Sequence, residues 1–249
     1  MRYFLRLEYN GSNFFGWQIQ PNHISVQESI ETGLKLILKE EIEVVGCGRT
    51  DTGVHAKDYF AHFDYKELSD EEINQLKFRL NRYFSFDINI KSILRVRDNA
   101  HSRFDAIDRT YKYYIAKDKQ PFNNDFLYYF PRELDIKEMN LAASKLFNYE
   151  DFTSFSKLHT QVNNNNCKIL YAKWEIENGL LVFTISANRF LRNMVRAITG
   201  TLLEVGLGKI SVEDFERIIE AKDRNKAGRS VSAKGLFLYS ISYPNEIFL

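Results

Sequence analysis

Gly46-Cys47-Gly48-Arg49-Thr50-Asp51-Thr52-Gly53-Val54-His55-Ala56 gathers three glycines, an arginine, a carboxylate and a histidine into eleven residues, between strand-like runs at 43–45 and 59–65. Such a composition buries poorly, and glycine lets a neighbouring backbone or a ligand approach the main chain closely. The stretch therefore reads as a loop shaped for contact, with one strand entering and another leaving. Arg49 and Asp51 are two apart, so on extended backbone both side chains point to one side, where a guanidinium orients a carboxylate and holds it ionised. Spacing alone leaves two readings open. Asp51 is a poised nucleophile, or the loop is an ordinary turn whose Asp and Thr side chains bond their own backbone.

Working outward, Ser25-Val26-Gln27-Glu28 reads as a helix N-cap with Glu at the third helical position, and Val26, Ile30, Leu34, Ile37 and Leu38 continue at helical spacing. On the other side Ser69 caps a second helix, with Asp70, Glu71 and Glu72 in the first turn, where negative charge suits the dipole. A strand at 1–9 opens the chain, with Phe4, Leu5 and Leu7 set around Arg6 and Glu8, and a strand at 87–97 closes this half. The order β-α-β-loop-β-α-β is ferredoxin-like or RRM-like.

The order then recurs. A strand at 109–115 precedes a helix from Asp135 to Phe147, and strands at 173–176 and 181–187 meet at the turn Asn178-Gly179. A helix opening within 190–196 carries the apolar stripe Leu191, Val195, Ile198, Leu202 and Val205. An extra helix from Ser211 and a strand at 235–241 end the chain. The expected fold class is α+β in two similar halves, residues 1–100 with the Asp loop and residues 101–249.

With 249 residues, 44% of them apolar and 14% aromatic, the chain has ample material for a core. Its apolar runs fall far short of the roughly 20 residues that cross a bilayer. The start Met1-Arg2-Tyr3-Phe4-Leu5-Arg6-Leu7 lacks a signal-peptide stretch, so a cytoplasmic location is expected. Cys47 and Cys167 form no close pair and no Cys/His cluster has zinc spacing, which indicates neither a disulfide framework nor a metal site. A net charge of +1 conceals local clusters: Arg189, Arg192 and Arg196 without an acid among them, and Lys222, Arg224, Lys226, Arg229 and Lys234 against Asp223 alone. Clusters of this kind bind phosphates, and they also serve as solvated faces.

The stretch from Gly48 to Ala56 resembles the catalytic signature of the tRNA pseudouridine synthase A family. Further motifs resemble that family in order: Gly16-Trp17-Gln18, which fits an RNA contact and a clasp over the core equally; His101-Ser102-Arg103-Phe104; the strand at 109–115, where Tyr111 takes an aromatic position facing the active site; Asp151-Phe152-Thr153-Ser154-Phe155; and 190–196. The resemblance implies an isomerase, an intramolecular transferase, that converts uridine to pseudouridine in the anticodon stem-loop of tRNA, at positions 38–40. It implies two halves whose antiparallel sheets join around a central RNA-binding cleft, and a homodimer as the active unit.

By the same likeness Asp51 is the nucleophile, Arg196 its ion-pair partner, and Tyr111 packs against the flipped uracil, while Arg49 is left to contact RNA. A stacked uridine must be flipped out at a cost of a few kcal/mol. Binding must supply that, and Arg49, Arg103, Arg109, Arg192 and Lys112 are the candidates to grip phosphates. No step moves electrons or phosphate, so neither cofactor nor metal is called for.

Two departures stand out. After the polar loop 161–166, which ends in four asparagines from Asn163, the chain has Cys167-Lys168-Ile169-Leu170 where the family commonly has an arginine, so Lys168 brings charge without a bidentate fork. Ser230-Val231-Ser232-Ala233 replaces a Thr-Ala-Pro-Ala-like run. Two other classes compete. A non-catalytic RNA-binding module of RRM-like halves predicts a Lys/Arg-Gly-Phe-type strand motif, to which 109–113 is the nearest run. A carboxylate glycosidase needs two acids where the signature loop carries one.

Overall fold

The structure is a computed structural model in which residues 1–157 and 164–249 are described. The chain divides into two compact units, Met1–Ile107 with Leu238–Leu249, and Asp108–Phe237.

The first unit runs β1 (Arg2–Tyr9), α1 (Val26–Leu38), β2 (Val45–Gly46), β3 (His55–Asp64), α2 (Asp70–Tyr83) and β4 (Ile88–Val96). Its strands pair antiparallel in the order β4-β1-β3-β2, the order a β-α-β-β-α-β chain adopts when each helix crosses back over the sheet. Local signals start both helices. The Ser25 hydroxyl accepts from the Glu28 amide, and Ser69 forms a reciprocal capping box with Glu72. Val26, Ile30 and Leu34 of α1 and Ile73, Leu76 and Leu80 of α2 are buried. Tyr3, Leu5 and Leu7 lie on one face of β1. Phe4, on the other, packs against Phe60, His62, Tyr243 and Phe248, so the C-terminal segment completes this unit's second aromatic layer.

Two boundaries differ from expectation. The strand before the signature is only Val45–Gly46, and the strand after it begins at His55, taking the end of the quoted stretch into the sheet, where Ala56 pairs with Tyr9. Lys57 and Asp58 obscure this strand in the sequence. Asp58 is nonetheless 7% exposed, because Arg6 of the neighbouring strand grips both carboxylate oxygens at 2.6 and 3.1 Å.

The second unit runs β5 (Asp108–Ala116), β6 (Tyr128–Tyr129), α3 (Ile136–Lys145), β7 (Ile169–Glu177), β8 (Leu180–Ala187), α4 (Met194–Gly206) and α5 (Val212–Glu220). β9 (Leu236–Ser242) begins here and ends in the first unit. Strands β5-β8-β7 pair antiparallel, and β6 adds a short parallel pair to the end of β5, which the expected antiparallel arrangement does not include. Asn178 and Gly179 both adopt positive φ, 51° and 77°, as a two-residue hairpin turn demands. α4 begins at Met194, later than 190, because Asn193 sits at φ 67° and cannot continue a helix. Nor is α4 a one-sided stripe. All its residues except Arg196 and Glu204 are buried, and a Cβ on Gly200 would stand 1.9 Å from the Arg229 carbonyl oxygen, so the 228–231 backbone lies directly against the helix. The fold is α+β, as the order of elements predicts.

Candidate active site

In the first unit the signature loop is held from both sides. The Thr50 hydroxyl meets the Tyr9 hydroxyl at 2.9 Å in a buried contact, and the Thr50 carbonyl accepts from the Trp17 amide at 3.3 Å. The Gly53 amide donates to the Phe14 carbonyl at 3.3 Å, and the Val54 amide to the Asp51 carbonyl at 3.1 Å, closing a turn in which Gly53 takes φ 78°. The Tyr59 hydroxyl donates to the Gly48 carbonyl. His55 is 1% exposed and accepts the Gly11 amide on Nδ1 at 3.0 Å, so it braces the loop from within.

Between these fixed points Asp51 is half-buried. Arg49 is exposed, and no hydrogen bond or ion pair joins it to another described residue, so the same-side pairing with Asp51 that spacing permits does not form.

Gly16-Trp17 resolves toward the clasp. Trp17 is 2% exposed and stacks on Tyr59 at 4.1 Å. Gly16, at φ 86°, brings its α-carbon so close to the loop that a Cβ would lie 2.4 Å from the Thr50 carbonyl oxygen. Gln18 turns to Gln27 at 2.7 Å.

The His101-Ser102-Arg103-Phe104 segment belongs to the same unit and is tied down through His62. Nδ1 of His62 accepts the Ser102 amide at 3.2 Å and lies 2.9 Å from the Ser102 hydroxyl, which donates to the Val45 carbonyl at 2.8 Å. Burial pushes the His62 imidazole down to about 4, helped by the positive charge of Arg2 and by His101. A neutral ring is what this geometry needs, since Nδ1 must accept. Arg103 is exposed beside this anchor, its guanidinium 5.5 Å from the Phe104 ring centroid.

In the second unit the link from β8 to α4 collects most of the remaining candidates. Asn188 accepts Arg109 on its carbonyl at 2.7 Å, and its side chain accepts the Lys168 amide at 2.8 Å, so the two cationic residues flank one loop. Tyr111, half-buried on β5, meets Phe190 edge-on at 5.2 Å. Arg192 is exposed. Arg196 exchanges two bonds with the Ser230–Ala233 loop: Nε donates to the Val231 carbonyl at 2.8 Å and its own carbonyl accepts the Val231 amide at 3.2 Å. These two hydrogen bonds use backbone atoms of Val231, and the Ser232 carbonyl likewise accepts the Tyr113 hydroxyl at 2.8 Å. Departure from a Thr-Ala-Pro-Ala-like run therefore leaves these bonds intact.

Some expected phosphate ligands are engaged within the protein. Lys112 contacts both carboxylate oxygens of Glu177 at 2.8 Å, and Lys222 pairs with Asp151 at 3.0 Å. Arg224 spans the carbonyls of Ala227 and Gly228 and the Ser230 hydroxyl, which also receives Asn193 Nδ2 at 2.6 Å. Sequence reading missed Asn193, Arg224 and Ser230 as organisers of the α4 start; the asparagine ahead of a helical run was the available signal. Gln161 and Asn163 of the polar loop lie outside the described residues.

The sequence model of a family described as tRNA pseudouridine synthase matches residues 142–244. A tRNA pseudouridine synthase A of Parabacteroides distasonis is 53% identical over 250 residues, covering 99% of this chain and 98% of the relative. One from Bacteroides fragilis is 53% identical over 248 residues with the same coverage, and one from Listeria monocytogenes is 38% identical over 97% of this chain and 99% of its own length. With likeness running the full length of both partners, the chain belongs to the tRNA pseudouridine synthase A family.

Proposed function

We propose that this isomerase acts on uridine in the anticodon stem-loop of tRNA, at positions 38–40, with Asp51 as its nucleophile. The observation that carries the reading is the Asp51 loop itself: Thr50, Gly53 and Val54 are each hydrogen-bonded in place while Asp51 between them is half-buried. A carboxylate on a pre-set turn needs little reorganisation to reach a flipped nucleotide.

The target base leaves C1′ as the C1′–N1 bond breaks, turns, and rejoins through C5, whose proton is then lost while N1, freed from the sugar, takes one up. Asp51 assists detachment and reattachment as two easier steps. Arg196, held through Val231, is the ion-pair partner that the resemblance gives to Asp51. Tyr111 packs against the uracil and handles the C5 proton. Arg49, Arg103, Arg109 and Arg192 grip phosphates, which supplies the binding that offsets flipping.

Tritium release from C5-labelled uridine in tRNA tests this. The wild-type protein is expected to release label, and Asp51→Asn to release none while binding tRNA nearly as well. Tight binding with no release by wild type would instead support a non-catalytic RNA-binding module.

A further inference from the structure

We propose that Phe15, stacked on His23, is a platform for an unpaired nucleobase next to the target uridine; this rests on the proposed action on an anticodon stem-loop. Phe14 and Trp17 turn inward, 7% and 2% exposed, but Phe15 between them is 43% exposed. Its ring lies parallel to that of His23, with centroids 4.0 Å apart and planes at 16°, and Ile19 and Ile24 of the same segment are exposed as well. The excursion is built rather than loose. The Phe15 amide donates to the Ile24 carbonyl at 2.9 Å, Gln20 Nε2 donates to the Phe15 carbonyl at 2.6 Å, and Asn22 turns the chain at φ 63°.

Position and chemistry both point to a base. Phe15 sits between Phe14, whose carbonyl receives Gly53, and Gly16, which abuts Thr50 and Asp51, so both of its chain neighbours contact the nucleophile's loop. Residues 10–27 contain no Asp, Glu, Lys or Arg, so the segment holds no phosphate by charge and repels none. What it offers is an aromatic face, on which bases of any sequence stack. Flipping a uridine unstacks its neighbours. A protein ring on the segment that abuts the nucleophile's loop replaces part of the lost stacking.

Phe15→Leu keeps apolar bulk and removes the π face. For a synthetic anticodon stem-loop, about a tenfold loss of affinity is expected. The slope of log affinity against log salt should be unchanged, because no phosphate contact is lost. Phe15→Tyr should restore binding. With 2-aminopurine placed beside the target, wild type should quench its fluorescence on binding and Phe15→Leu should not. Equal affinity and equal quenching in Phe15→Leu overturn the proposal, as does an affinity loss that tracks a changed sedimentation coefficient. Wild-type tritium release from the same stem-loop separates the two ideas: none means the anticodon reading has failed, whereas normal release with an indifferent Phe15→Leu removes the platform alone.

Discussion

At Tyr111 the ring and the hydroxyl can be tested separately. The ring is placed by its edge-on contact with Phe190 on the short loop that leads into α4, and phenylalanine keeps that contact. Tyr111→Phe should bind tRNA as wild type does and release tritium about 10²–10⁴-fold more slowly, the usual range for a lost proton-transfer group. A wild-type rate would restrict Tyr111 to packing. His62 has a different part, since it holds the 101–105 turn rather than the reacting base. Its folded pKa, about 4, lies below its ordinary 6.5, so between those values the unfolded chain binds the extra proton. Stability should therefore fall as pH drops from about 6.5 toward 4. Urea unfolding at pH 7 and pH 5 measures this, and His62→Asn should flatten the dependence. An undiminished slope in that variant would assign the acid sensitivity elsewhere.

Two glycines near the signature separate the structural from the functional demands of the loop. Gly16 has positive φ and no room for a Cβ against Thr50, so Gly16→Ala should cost about 1–3 kcal/mol of stability and lower turnover by displacing the Asp51 loop. Gly48 has neither constraint: nothing lies within 4 Å of its would-be Cβ. Gly48→Ala should change stability by no more than about 0.5 kcal/mol. Urea midpoints for the pair check this, and equal losses would mean that the 10–17 segment does not hold the loop. The contrast shows why a glycine-rich signature is not uniformly glycine-dependent.

For the whole molecule we propose a homodimer. A net charge of +1 with Lys112, Lys222 and Arg224 engaged internally leaves scattered cations, whereas a stem-loop spreads phosphates over a wide surface. A second copy extends the grip through effective concentration, and twofold closure is the commonest assembly. Sedimentation at micromolar concentration should show a species of twice 29.3 kDa. A fully active species at 29.3 kDa ends the idea. Affinity for tRNA should fall steeply with salt, and a flat response would contradict phosphate gripping.

Helix starts at Ser25, Ser69, Asp135 and Ser211, the Asn178-Gly179 turn and the family signature were all legible in the sequence, because each is a signal complete within a few residues. Capping needs one side chain and an amide three residues on, and a hairpin turn needs two residues that tolerate positive φ. Tertiary structure alone decided the rest. It returned Leu238–Leu249 to the first unit, seated Trp17 on Tyr59, took β3 back to His55 through the buried Asp58, and paired Lys112 with Glu177 from 65 residues away. It also left unmade the Arg49–Asp51 pairing that a two-residue spacing permits. A charge reads the same in sequence whether it faces solvent, a phosphate or a carboxylate, and only the approach of distant segments determines which of these it meets.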